Sequence, residues 1–223
     1  MKQYIIIVAG GSGSRMGSSI PKQFLELNSK PILIHTIERL NRFVTNAEFI
    51  VALPESQFEY WKELCKKHHL SIPHKLSKGG ETRFESVKNA LTFVKEESVV
   101  AIHDGVRPLV SETVVKRCMS TAESEGSAIP TLNLIESLRQ LNGDTSSVVN
   151  RSNYKIVQTP QCFKSHTILK AYELEYNKSF TDDASVVEAL GESVVLVDGN
   201  KENIKITTPE DLKIAEMYLK SDD

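Results

Sequence analysis

Short runs of β-branched residues alternate with helix-patterned segments along this chain, and that alternation restricts its fold more than any single motif. Candidate strands are Tyr4–Val8, Glu48–Leu53, Ser98–His103, Ser127–Pro130 and Ser193–Asp198. A strand, a helix and a second strand in series form a crossover unit, which requires parallel strands with helices laid on the sheet. The predicted fold class is therefore α/β with a mainly parallel sheet. The helices between carry legible starts. Pro31 suits a first turn, with Leu33, Ile37 and Leu40 following at helical spacing. Thr82 and Glu85 have capping-box spacing ahead of Val87, Ala90, Leu91 and Val94. Ser111 can cap a helix carrying Val114, Val115, Cys118 and Met119. Thr181 precedes two aspartates and then Val186, Val187 and Leu190, with Gly191 as the stop. Thr208-Pro209-Glu210-Asp211 opens a last helix packed through Leu212, Ala215 and Leu219.

A chain of 223 residues with no internal repeat and no low-complexity linker reads as one domain, residues 1–223. Such a length buries a sizeable core without help from disulfides. The formal net charge of -2 gives no reason to expect nucleic acid as a partner, while a phosphorylated small molecule needs only a local basic pocket. Cys65, Cys118 and Cys162 are odd in number and widely spaced, which suits reduced thiols. The apolar run Tyr4 to Ala9 is far shorter than the ~18 residues of a membrane span and lacks signal-peptide flanks. A cytoplasmic protein with no membrane partner is expected.

One stretch breaks the alternation. Between Leu132 and Tyr154, two extended arms, Glu136–Leu141 and Ser146–Arg151, flank Asn142-Gly143-Asp144. Asn-Gly is a strong hairpin signal because a type I′ turn places both central residues at positive φ. A hairpin at about residues 132–154 would protrude from a parallel α/β domain, to pack on a second subunit or fold back on its own chain.

Four groups of residues can carry chemistry. The first is Ala9-Gly10-Gly11-Ser12-Gly13-Ser14-Arg15-Met16-Gly17, just after the first strand. Glycines there let backbone N–H groups approach phosphates. The dinucleotide fingerprint fails because its third glycine would fall at Met16, and no Gly-Lys-Ser/Thr marks a Walker loop. Arg15 and Lys22 instead put two cations beside the turn, which suits a triphosphate under attack. The second group is Gly79-Gly80 leading through Thr82 to Ser86, able to offer backbone amides and a hydroxyl to a base or phosphate. The third is His103-Asp104-Gly105-Val106-Arg107-Pro108 at a strand's carboxyl end, where open α/β sheets bind ligands. Asp104 could hold a substrate hydroxyl or a magnesium ion; Arg107 could bind phosphate or pair with Asp104; His103 reads as structural. The fourth is dispersed: Arg151 at the base of the hairpin, Gln158-Thr159-Pro160-Gln161, and Asn203-Ile204-Lys205-Ile206-Thr207.

Taken in order, these motifs resemble the 2-C-methyl-D-erythritol 4-phosphate cytidylyltransferases of the non-mevalonate isoprenoid pathway. The series runs through Gly13-Ser-Arg-Met-Gly17, Pro21-Lys-Gln-Phe24, Gly79-Gly80 with Arg83 and Ser86, and His103-Asp104 with Arg107-Pro108. It continues through Asn150-Arg151, Gln158-Thr-Pro-Gln161, Thr181-Asp-Asp-Ala-Ser185 and Asn203-Ile-Lys-Ile-Thr207. The resemblance implies a Rossmann-like nucleotidyltransferase domain whose protruding β-hairpin arm interlocks with that of a second subunit in a homodimer. It also implies that Arg15 and Lys22 stabilise the transition state at the α-phosphate of CTP. Arg151, reaching from the partner's arm, and Lys205 would position the methylerythritol phosphate. Asp104, Arg107 and Thr159 would line the same pocket. Ala9, Gly10, Gly11, Gly13, Gly80 and Ser86 would hold the nucleotide. Two positions depart from the family pattern: Ala9-Gly10-Gly11 stands where many relatives have Ala-Ala-Gly, and Glu136-Ser137 replaces an Asp-Thr pair, leaving the Ser137 hydroxyl to meet the polyol.

The implied reaction transfers CMP from CTP to a polyol phosphate with Mg²⁺ as cofactor, Asp104 being the one protein ligand the sequence offers. Ribitol-5-phosphate cytidylyltransferases share similar CTP motifs, so ribitol phosphate is the rival acceptor. A non-catalytic nucleotide-binding regulator and a Rossmann oxidoreductase are the rivals of other classes.

Overall fold

The first strand, β1 (Lys2–Val8), is apolar on both faces, which only a sheet covered on both sides can bury. Ile5 and Ile7 point into one apolar layer and Tyr4 and Ile6 into another, as a side-chain period of two requires. A computed structural model describes residues 1–10 and 20–221. Gly11, Gly13 and Arg15 lie outside the described residues.

After a small antiparallel pair, β2 (Glu26–Leu27) and β3 (Lys30–Pro31), the chain enters α1 (Ile32–Phe43), with Pro31 at the N-cap, one residue ahead of the first turn where the sequence suggested it. It then runs through β4 (Glu48–Leu53), α2 (Phe58–Lys67), β5 (His74–Lys78), α3 (Arg83–Leu91), β6 (Ser98–Asp104), α4 (Glu112–Glu125) and β7 (Ser127–Asn133). The arm follows as β8 (Leu138–Asn142) and β9 (Thr145–Val149). The chain closes with β10 (Lys155–Val157), β11 (Gln161–Lys164), α5 (Ser165–Ala171), α6 (Asp183–Ala189), β12 (Leu196–Asp198) and α7 (Pro209–Ser221).

The central sheet has the order β10-β7-β11-β6-β1-β4-β5, with β12 paired to β7. β1, β4, β5 and β6 are parallel, and β11 runs antiparallel between β6 and β7. Helices α1, α2 and α4 cover one face through Ile37, Leu40, Trp61, Leu64, Val115 and Cys118. Helices α3, α5 and α6 cover the other through Phe84, Val87, Ile168, Val186 and Val187. Helix α7 closes a third apolar cluster with Leu27, Ile32, Val106 and Ile206. From β1 the chain steps first to β4 and β5 on one side, then returns to β6 on the other. That reversal opens a crevice at the carboxyl ends of β1 and β6, where Val8 is level with Asp104.

The expected mainly parallel α/β sheet is present, with several local differences. The strand read as Ser127–Pro130 extends to Asn133, and only Leu196–Asp198 of the last candidate pairs. The first of the two aspartates, Asp182, caps α6, its carboxylate accepting from Ser185 N at 2.9 Å. In the arm, Asn142 pairs with Thr145, so the central turn residues are Gly143 and Asp144. Only the first of them has positive φ, Gly143 at 62°. Glycine at the first central position is the pattern of a type II′ turn, one residue along from the type I′ turn the sequence suggested.

The capping box at α3 is formed as the spacing predicts. Thr82 Oγ1 accepts from Glu85 N at 3.1 Å, and Glu85 Oε2 accepts from Thr82 N at 3.2 Å and Glu81 N at 2.6 Å. Replacing Thr82 with alanine is expected to lower unfolding stability by about 1 kcal/mol, read as a shifted urea midpoint at unchanged slope.

Candidate active site

Two short loops and one strand end build the crevice. Gly10 follows β1, and a Cβ there would sit 3.4 Å from Ser86 Oγ, so glycine leaves the wall open at that point. Gly80 is required more strictly: an added Cβ would lie 2.2 Å from Glu85 Cβ, inside the folded capping box. Ser86 Oγ accepts from Gly80 N at 3.0 Å and donates to Thr82 O at 2.9 Å. The hydroxyl therefore shapes the loop that presents the Gly80 region to the cavity. Lys22 belongs to a single 3-10 turn, Lys22–Phe24, whose other two residues are buried. Gln23 Nε2 donates to Gln57 Oε1 at 2.9 Å, and Phe24 packs on Tyr60 and Trp61, which holds the lysine at the crevice from behind.

Asp104, at the end of β6, is the hub. Lys205 Nζ lies 3.0 Å and Arg107 Nε 3.1 Å from its Oδ2, and Arg83 Nε lies 3.7 Å from its Oδ1. Burial would raise its pKa, but Arg83, Lys205 and Arg107 hold the carboxyl well below the usual range. Arg107 is itself tied down, donating through Nη1 to Asn203 O at 2.8 Å, while Asn203 Nδ2 donates to Thr159 O at 2.8 Å. Asp104 and Arg107 thus pair, the second of the alternatives open for that arginine.

These elements enclose two joined cavities. One, of about 430 Å³, is lined by Ala9, Gly10, Lys22, Gly80, Ser86 and others; the second, of about 270 Å³, by Arg107, Gln158, Thr159, Gln161, Thr181 and Asp182. Arg83, Asp104 and Lys205 belong to both walls. Of the residues singled out in the sequence, Ala9, Gly10, Lys22, Gly80, Ser86, Asp104, Arg107, Thr159 and Lys205 therefore converge. Arg151 and Ser137 do not join them: both are exposed on the arm, where Arg151 Nη1 donates to Ile135 O. Asp104 is also a poor magnesium ligand as it stands, because both its oxygens already face cations. Among the described residues no three His, Cys, Asp or Glu side chains gather into a metal site.

The Arg83–Asp183 pair behind the crevice wall is the part of the site least visible in the sequence. Both fall within longer motifs, but each sits at a helix start and reads there as part of a cap. The structure brings them together across 100 positions, Arg83 Nη1 and Nη2 lying 2.8 and 2.6 Å from the two oxygens of Asp183.

His103 is structural, as its sequence context suggested. Its Nε2 lies 3.0 Å from Arg107 O, which can only accept, so Nε2 carries the proton. Nδ1 then accepts from Thr159 Oγ1 at 3.0 Å, and that hydroxyl accepts from Asp104 N at 3.1 Å. Burial pushes the ring's pKa from 6.5 down to about 4. Between those values the unfolded chain binds a proton that the folded chain refuses, so stability falls as pH drops from 6.5 towards 4. His103→Gln is expected to remove roughly 2–3 kcal/mol of this pH-linked change, read from urea unfolding at pH values across that window.

The family model for 2-C-methyl-D-erythritol 4-phosphate cytidylyltransferase matches residues 3–221. A protein of that name from Phocaeicola vulgatus is 51% identical over 98% of this chain and 100% of its own length. Its counterpart from Bacteroides thetaiotaomicron is 50% identical over 98% and 100%. The crystal structure of the Thermus thermophilus cytidylyltransferase superposes with a TM-score of 0.76 at 31% identity, covering 99% of this chain and 100% of that one. The bifunctional IspDF of Campylobacter jejuni matches with a TM-score of 0.81 at 28% identity, over 96% of this chain and 54% of that one. The fold is the Rossmann-like nucleotidyltransferase fold. By sequence and by architecture, this chain belongs to the 2-C-methyl-D-erythritol 4-phosphate cytidylyltransferase family.

Proposed function

We propose that this chain transfers the cytidylyl group of CTP to the phosphate of 2-C-methyl-D-erythritol 4-phosphate, giving 4-diphosphocytidyl-2-C-methyl-D-erythritol and pyrophosphate. The observation that carries this reading is the pair of joined cavities sharing Arg83, Asp104 and Lys205, with Lys22 on the larger one. A donor and an acceptor bound in two such cavities meet at the common wall. Family relatives named for methylerythritol phosphate favour that acceptor over ribitol phosphate, and enzymatic transfer over simple nucleotide binding.

The chemistry follows from charge. A phosphate monoester is largely dianionic at neutral pH, its second pKa being about 6, so it needs no protein base. One of its oxygens forms a bond to the α-phosphorus, the bond from that phosphorus to the bridging oxygen breaks, and pyrophosphate leaves with the electron pair. The protein's task is to align two anions and to stabilise charge at the α-phosphate. Lys22 and Arg15 take the second role, Lys205 the first, and Asp104, Arg107 and Thr159 line the acceptor pocket. Ala9, Gly10, Gly11, Gly13, Gly80 and Ser86 shape the nucleotide side. Mg²⁺ would offset charge on the triphosphate and would take most of its ligands from CTP, since the Asp104 carboxylate already faces Arg107 and Lys205.

We further propose a homodimer formed by the arm. Ile135, Leu141 and Val148 are 69%, 79% and 75% exposed, and an apolar groove at the arm's base is lined by Leu132, Leu134 and Ile156. Exposed apolar surface on a two-stranded ribbon calls for a packing partner. In the dimer, Arg151 and Ser137 of one arm complete the acceptor cavity of the other subunit. We place the enzyme in the cytoplasm, in keeping with its free cysteines; among the described residues no helix is long and apolar enough to cross a membrane.

Pyrophosphate release from CTP and Mg²⁺ should occur with methylerythritol 4-phosphate and not with ribitol 5-phosphate; release with ribitol phosphate alone would reassign the acceptor. Lys22→Ala should cut turnover by on the order of 10²–10³ in a folded protein. Exchange between Lys22→Ala and Arg151→Ala subunits should restore about a quarter of wild-type activity, since half the dimers are mixed and each then holds one intact site. An Arg151 acting within its own subunit gives no recovery.

A further inference from the structure

Arg83 stands at the first position of α3, half-buried, on the wall that both cavities share. Its two terminal nitrogens grip both oxygens of Asp183, a carboxylate with no exposure at all, at the start of α6. Tyr172 Oη donates to the same carboxylate at 2.6 Å, and the Tyr172 ring stacks on Phe84 at 4.7 Å, beside Arg83 itself. These contacts close a ring that joins the starts of α3 and α6.

The two helix starts face different cavities. Gly80, Glu81 and Thr82 lead into α3 on the larger cavity, while Thr181 and Asp182 lead into α6 on the smaller. Gln161 of β11 fixes the α6 side independently, donating to Asp182 Oδ2 at 2.8 Å and accepting from Ala184 N at 2.9 Å. A buried ion pair is a weak source of stability, because desolvation offsets most of its attraction. Its geometry is the informative part: a two-pronged guanidinium fixes both the distance and the orientation of what it joins. The remaining donor edge, Nε, faces Asp104 Oδ1 at 3.7 Å, so the same side chain balances the charge beside Lys205.

We propose that Arg83, clamped by Asp183, is a positioning residue for the acceptor: it locks the acceptor cavity to the nucleotide-binding loop and offsets Asp104, leaving Lys205 able to receive the acceptor's phosphate. This rests on the transfer reaction proposed above. Without Arg83's charge, Asp104 draws Lys205 more strongly and repels the incoming dianion. Without the fork, Thr181 and Asp182 lose their register with α3. Both effects fall on the acceptor, because the capping box shapes the nucleotide loop through Thr82, Glu85 and Ser86.

The test is steady-state kinetics of Arg83→Met, Arg83→Lys and Asp183→Asn with CTP and methylerythritol 4-phosphate, with folding checked by circular dichroism. Arg83→Met should raise the acceptor KM about tenfold or more while the KM for CTP stays within about threefold, a split that a general loss of structure does not produce. Arg83→Lys should recover part of the acceptor KM by returning the charge, and Asp183→Asn should shift it in the same direction as Arg83→Met. Unchanged constants in a folded variant, or both KM values rising together, would overturn the proposal. If Arg83→Met does not fold, Arg83→Lys and Asp183→Asn supply the same comparison. A wild-type chain inactive with either acceptor would overturn the transfer reaction and this inference together, whereas an active wild type with insensitive variants overturns the inference alone.

Discussion

A buried carboxylate that meets three cations organises this molecule's working end. Asp104 lies where β6 ends, and the groups around it come from sequence positions as distant as Arg83 and Lys205. A charge taken out of water must be paired, or it shifts to its neutral form. Asp104 stays ionised because its partners are brought to it by separate elements: α3, the turn after β6, and the segment before α7. That segment is tied in turn by Ile206 N to Val106 O at 2.9 Å and by Asn203 to Thr159 O. The crevice is therefore built around an anion, although its proposed substrates are anions too. Asp104 sets the spacing of cations that would otherwise repel one another.

How much of this was legible before the structure depends on the kind of signal. Interior strands such as Glu48–Leu53 announce themselves by continuous apolar, β-branched runs, and the capping box at Thr82 is a local pattern with a local cause. Strand β5 is different: His74-Lys75-Leu76-Ser77-Lys78 is an edge strand with polar exposed positions, so its composition resembles a loop. Strand β11 is only four residues long and starts in a motif that reads as a turn, because Pro160 precedes it. Both acquire their conformation from neighbours, β4 in one case and β6 with β7 in the other, and a one-dimensional pattern does not contain those neighbours.

The site divides in the same way. Glycine loops and strand-end charges such as Gly80, Asp104 and Arg107 were visible because their positions follow from chain order in an open α/β sheet. Arg83 with Asp183, and Gln161 with Asp182, were not, because each pair joins residues far apart in sequence and each member already has a local reading in its own turn or helix start. The hairpin was visible as a hairpin, yet its turn lies one residue along, since Gly143 rather than Asn142 takes the positive φ. The side chains on that arm are mostly exposed, so nothing in the chain's own packing marks out Arg151 or Ser137.

In-line phosphoryl transfer makes one demand that an open crevice does not meet by itself: two anionic ligands must be held at a fixed separation while charge builds at the phosphorus between them. Two independent pockets would each tolerate small displacements, and those errors would add at the reaction centre. A shared wall removes that addition. Arg83, Asp104 and Lys205 line both cavities, so the two ligand sites are built against the same three side chains. His103 reinforces it from inside the sheet, linking Thr159 on the acceptor side to the backbone of Arg107. His103 and Asp183, both fully buried, line neither cavity; through Thr159 and Arg83 they hold in register the surfaces that do.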